Sequence, residues 1–230
     1  MAVTGRDERL ADLESDSAAE TAAGEREIGH VPTLTFGAMR VPDSRVAHEA
    51  EELVRDAAPD FLTNHSFRSY AWSVALADRD DVRFDAELLY VAALLHDIGL
   101  VAQFDQGGCF EDDGARAAAA FAGERGWTAE RRDAVAEAIR LHMAAEVALE
   151  DGPEAYLLWH ATGLDVRGHR YGEITPGEAA AVLTAYPRLD FKRGFAKLFA
   201  DQAERKPHCV VAELIRGGFA DRIATAPFES

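Results

Sequence analysis

His96 and Asp97 stand side by side at the end of the most apolar stretch of the chain, Leu88 to Leu95. Burying an unpartnered polar group costs roughly 2–7 kcal/mol, and a bare charge costs more. A divalent cation compensates both residues at once, because imidazole and carboxylate are common ligands of first-row metals. Neighbouring helical residues point about 100° apart. The pair therefore shares an ion only where a helix ends, and Gly99 supplies that end. Two ligands do not hold a metal. The candidates for the others are His65, in Asn64-His65-Ser66-Phe67-Arg68, and Asp165, in Leu164-Asp165-Val166, which gives His, His-Asp, Asp in chain order. The plainer alternative is a buried His-Asp hydrogen bond with no metal, and the ordered His65 and Asp165 weigh against it. An ion held this way would acidify a water and polarise an electrophile, which is what the addition of water requires.

These segments resemble the HD-domain superfamily of metal-dependent hydrolases. The wording of Asn64-His65-Ser66-Phe67-Arg68, Leu94-Leu95-His96-Asp97-Ile98-Gly99-Leu100, Phe110-Glu111-Asp112-Asp113-Gly114-Ala115 and Leu164-Asp165-Val166 looks most like its cyanamide hydratase-like branch. The resemblance runs from about Val41 to Asp165. It implies an HD-type helical bundle with the metal at its centre, and hydration of a small nitrile-like substrate, cyanamide giving urea. It also favours zinc, although two imidazoles and two carboxylates suit Fe, Mn, Co or Ni as well.

Around the ligands, Asp97 is a candidate to take the water's proton through a spare oxygen, as is Asp165. His142 is either a core histidine satisfied by a backbone carbonyl or a pocket residue that donates a proton to the substrate. Asn64, Arg68 and Glu111 are the candidates for touching substrate. Arg68 has the competing reading of an ion pair with one of the carboxylates, and Glu111 that of an acidic residue suited to a helix start. His160 could join His142 in a second metal site, but it sits close to Asp165 in sequence and reads as structural. An HD phosphohydrolase acting on a nucleotide or small phosphoester is the alternative enzyme, though Ile98-Gly99-Leu100-Val101 lacks the Glu that often follows His-Asp in nucleotidase-like relatives. A non-catalytic metal-binding module is the third reading.

The elements that must position these residues read as helices. A run as apolar as Leu88 to Leu95 predicts a helix buried on every side, opened by an Asp85 cap. A helix begins after Ser44 and is closed by Pro59; the next begins at Thr63 or Asn64, with His65 in its first turn. An acidic start at Glu111 to Asp113 opens an Ala-rich helix, and Thr128 caps another that carries His142. Pro153 opens a helix that Gly163 stops, leaving Asp165 in the following turn. Thr175-Pro176-Gly177-Glu178 is a capping box. Two last helices, about Arg188 to Lys206 and Pro207 to Arg216, read as packing and possible homo-oligomer surface.

Composition bounds the rest. With 230 residues, 48% of them hydrophobic, the chain can bury one all-α domain. We place that domain at 30–230 with a core at 41–165, after a flexible acidic tail at 1–29 that has too little apolar surface to offset ordering; 30–36 reads as a strap docked on the body. A net charge of −17 repels phosphate backbones and anionic lipid, which excludes nucleic acid and membrane surfaces as expected partners and leaves a small-molecule substrate. No apolar run approaches the roughly 20 residues of a membrane span, and no signal segment is evident, so a cytoplasmic location is expected. Cys109 and Cys209 form no framework and read as free thiols.

Overall fold

A computed structural model describes residues 41–229. The expected acidic tail at 1–29 and the strap at 30–36 lie outside the described residues. Among these, the secondary structure is helical with no strand, in ten α-helices.

The fold is built around one helix. α1 spans Arg45–Ala57, α2 spans Asp60–Asp80 and α3 spans Ala86–Leu95. Asp85 caps α3 as expected, its carboxylate accepting from the Leu88 amide at 3.0 Å. No side chain from Leu88 to Leu95 is more than 4% exposed. Burial of each such leucine contributes about 1.5–3 kcal/mol, which explains why a helix without a polar face is stable here. It is enclosed by α1 and α2, by α4 (Phe110–Glu124) and α5 (Ala129–Leu141), and by α6 (Pro153–Arg167).

Where α3 ends, the backbone changes character. His96 is still helical, but Asp97 has φ −102° and ψ 8°, and one 3₁₀ turn, Ile98–Leu100, follows. Gly99 is required there for closeness: a Cβ would lie 2.0 Å from the Phe110 carbonyl oxygen. The turn after the His-Asp pair is thus pressed directly against the start of α4.

Two helix boundaries differ from expectation. α2 begins at Asp60 with Pro59 as its cap, three residues or more before Thr63 or Asn64, so His65 sits in its second turn. The Thr63 hydroxyl is spent on the carbonyls of Val54 and Ala58, which ties α2 to the end of α1. In addition, α6 does not stop at Gly163 but continues to Arg167 and ends at Gly168, which has φ 75°. A glycine with φ in the left-handed region is the stronger stop signal. Asp165 therefore stands in the last turn of α6, fully buried.

Beyond the capping box, in which Thr175 and Glu178 cap each other at the start of α7 (Pro176–Ala185), come α8 (Phe191–Arg205), α9 (Val210–Arg216) and a further helix not anticipated, α10 (Phe219–Ala224). Cys109 and Cys209 are joined in a disulfide across a sequence separation of 100, which corrects the expectation of free thiols. The bond ties the residue before α4 to the residue before α9. No helix among the described residues is long and apolar enough to cross a membrane.

Candidate metal centre

α2 brings His65, and the end of α3 brings His96 and Asp97, to one buried point. Nε2 of His65 lies 3.2 Å from Nε2 of His96. Oδ2 of Asp97 is 3.2 Å from the His96 Nε2 and 3.5 Å from that of His65. One ligand atom from each of the three falls within 4.8 Å of the others.

The hydrogen bonds behind these rings settle what faces the centre. Nδ1 of His96 meets the Ala93 carbonyl at 2.8 Å. A carbonyl only accepts, so Nδ1 carries the proton and Nε2 presents a lone pair. His65 is fixed the same way, its Nδ1 donating to Oδ2 of Asp165 at 2.7 Å. His142, the residue that follows α5, repeats the pattern by donating from Nδ1 to the Ile139 carbonyl. Its Nε2 lies 3.6 Å from Oδ1 of Asp97.

This donor set fits a divalent cation. Two imidazole lone pairs facing each other at hydrogen-bond distance have no proton to share between them, and the buried Oδ2 of Asp97 has no hydrogen-bond partner. Burial pushes His65 down to about 4, which keeps it neutral and free to donate its lone pair at neutral pH. Burial also opposes charge on His96, but the Asp97 carboxylate beside it raises its pKa overall. Asp97 itself is held below the ordinary carboxylate range by the surrounding rings, against the opposing effect of burial. A cation among them satisfies every one of these groups, as metal ligands are seldom content without one.

Asp165, the expected fourth ligand, is not gathered with the other three. Arg68 donates to both of its oxygens at 2.8 Å, Trp72 donates Nε1 at 2.9 Å, and Nη1 of Arg188 lies 3.2 Å from Oδ1. With both guanidinium groups and the His65 ring around it, its carboxyl is held well below the usual range in spite of burial. As placed, Asp165 orients His65 from behind, the position from which an outer partner fixes a ligand's tautomer.

The candidates for touching substrate fare unevenly. Arg68 is consumed by Asp165 and by the carbonyls of Tyr186 and Pro187. Asn64 donates to the Pro187 carbonyl at 2.8 Å. Glu111 is half-buried with one unpartnered oxygen, and burial pushes its carboxyl above the ordinary value. None of these three lines the cavity that opens onto the centre. His142 does: its Nδ1 is satisfied by a carbonyl, as in the first reading of it, and its Nε2 faces the pocket. His160 is elsewhere, stacked on His169 with Nδ1 3.1 Å from its Nε2.

The cavity measures about 470 Å³. His65, His96, Asp97 and His142 form its polar end. Its walls come from α6, through Trp159, Gly163, Val166 and Arg167, and from the C-terminal helices, through Phe195, Phe199, Leu214, Phe219 and Arg222. Sequence reasoning assigned the helices at 188–206 and 207–216 to packing and possible oligomer surface. The signal was present in Phe191, Phe195 and Phe199, which recur every four residues along one face of α8.

A helical bundle with a His, His-Asp cluster at the end of its most buried helix defines a metal-dependent hydrolase of the HD type. The chain matches the HD domain family over residues 62–181, more than half of its 230 residues, and it belongs to that family. HD domains are generally metal-dependent hydrolases, phosphohydrolases among them. No curated protein matches the chain.

Proposed function

We propose that the protein hydrates or hydrolyses a small substrate in this cavity with the help of one divalent metal ion, zinc by the sequence resemblance, held by His65, His96 and Asp97. The observation that carries the reading is the convergence of backed Nε2 lone pairs on an unpartnered Asp97 oxygen. Bound there, the ion supplies an acidified water and polarises the electrophile. The chain's own groups do the rest. Asp165 keeps the His65 ring in the tautomer that points Nε2 inward. Oδ1 of Asp97 and Nε2 of His142 face each other across 3.6 Å, so a proton lost by the water can be taken up there and returned to the product. Phe195 and Phe199 form an apolar wall beside the polar end, with the Phe195 ring 5.5 Å from that of His65.

Two electrophiles are in play. The resemblance to cyanamide hydratase-like proteins supports a nitrile carbon, with cyanamide giving urea, and the apolar wall of Phe195, Phe199 and Met143 suits a small neutral molecule. Phosphoester hydrolysis is supported by Arg167 and Arg222, two cations on the same cavity. Purified protein given cyanamide with urea detection, in parallel with a panel of nucleotides and phosphoesters with phosphate detection, separates them. Urea release lost in His96→Ala supports the first; phosphate release alone replaces it with the second. Failure of both, with no cation bound, removes the hydrolase reading. A cytoplasmic location belongs to the same proposal. It has to contend with the Cys109–Cys209 bond, since reducing compartments disfavour disulfides.

A further inference from the structure

We infer that Arg167 and Arg222 form a subsite at the rim of the cavity for an anionic oxo group, phosphate or carboxylate, carried by the substrate. The inference rests on the hydrolase reading above and narrows its substrate class.

Arg167 comes from the last turn of α6 and Arg222 from α10, and both line the cavity whose polar end is the metal centre. Both are exposed, which places them at its opening. Arginines elsewhere in the described residues are mostly spent on carboxylates, as Arg79 is on Glu178, Arg131 on Asp85 and Arg170 on Asp80. Among the described residues Arg167 and Arg222 have no such partner. Arg222 donates Nη1 to the Gly217 carbonyl at 2.8 Å, and Arg167 faces the Trp159 ring at 5.9 Å. One carboxylate, Glu213, shares the rim, and it forms no ion pair with either arginine.

The chain makes room for this arrangement. A Cβ on Gly163 would lie 3.2 Å from Nη2 of Arg167 and 3.4 Å from its Nε. The glycine that looked like a helix stop is the surface over which this guanidinium lies. Partial burial, and then the charge of Arg222, push Arg167 below the ordinary arginine range. Two guanidinium groups on one cavity, neither paired with a carboxylate, offer their donors to an incoming anion. The guanidinium fork matches the oxygens of phosphate and carboxylate equally well. The chain as a whole carries a net charge of −17, so its average surface repels such a ligand. A neutral molecule as small as cyanamide gives these arginines nothing to grip.

The test is calorimetric titration of full-length, metal-loaded protein with inorganic phosphate and, separately, with malonate. It compares wild type, Arg167→Gln, Arg222→Gln and His96→Ala, with metal content measured on every sample. The expected result is that one anion binds wild type and that each arginine variant weakens it about tenfold or more while its metal content is unchanged. The tighter of the two anions names the group. Arginine variants that bind as tightly as wild type, or a wild type that binds neither anion, overturn the subsite. Arginine-dependent binding by a wild type that takes up no cation keeps the subsite and overturns the hydrolase reading instead, whereas the same binding in His96→Ala, which loses its cation by design, supports the subsite alone.

Discussion

Nδ1 of His65 donates to Oδ2 of Asp165 across 2.7 Å, joining residues a hundred positions apart in the chain. The contact couples the metal centre to a second buried cluster, because the same carboxylate accepts from Arg68, Trp72 and Arg188. One side chain therefore serves both the fold and the site.

Asp165→Asn tests that double duty. Removing the charge leaves two buried guanidinium groups without a counter-ion, and breaking a buried pair costs about 3–5 kcal/mol. Urea denaturation should show a loss of that size. Metal competition should show affinity reduced by roughly 10–100-fold, the usual effect of losing a partner behind a ligand.

Metal content gives the most direct check. Elemental analysis of desalted protein should find about one divalent ion per chain, and His96→Ala and Asp97→Asn should each lose it. A wild-type chain that retains its fold and holds no cation would dismiss the centre.

Gly99→Ala forces a methyl into the 2.0 Å gap before the Phe110 carbonyl. Overpacking of this kind costs about 1–3 kcal/mol. Because the turn carries Asp97, the variant should also bind metal more weakly than an equally destabilised variant on the outer face of α1.

Reduction of Cys109–Cys209 should lower stability by about 2–4 kcal/mol, since the bond closes a loop of 100 residues. Denaturation with and without dithiothreitol measures this, and Cys109→Ser should match the reduced wild type.

His160 sets a pH dependence away from the metal. Burial, then the charges of Arg170 and His169, lower its pKa to about 4, below the value of about 6.5 it has in an unfolded chain. The unfolded state therefore takes up the proton first as pH falls. Stability from this group is complete above about pH 6.5 and declines toward pH 4. The drop in urea midpoint between pH 7 and pH 5 should be smaller in His160→Gln than in wild type.

Much of this was legible in the sequence because it is written locally. A run such as Leu88 to Leu95 has no way to be stable except by burial, and the Asp85, Thr128 and Thr175 caps lie within three residues of the amides they satisfy. What was not legible depends on distant partners. Asp165 reads as a ligand until Arg188, from the segment beyond α7, and Arg68, from α2, are seen to share it. Gly163 reads as a stop until Arg167 is seen lying over it. The pairing of Cys109 with Cys209, and the use of α8 to α10 as the cavity's walls, are likewise products of how the chain folds back on itself.

The burial of every residue from Leu88 to Leu95 has a consequence for how the centre fails. Amides in a segment enclosed by five other helices exchange with solvent only when the whole domain opens. His96 and Asp97 sit at the end of that segment, so gentle fraying at the ends of the chain leaves them in place. On heating, loss of the bound cation and collapse of far-UV helical signal should share one midpoint, with no intermediate that keeps its shape and has lost its centre.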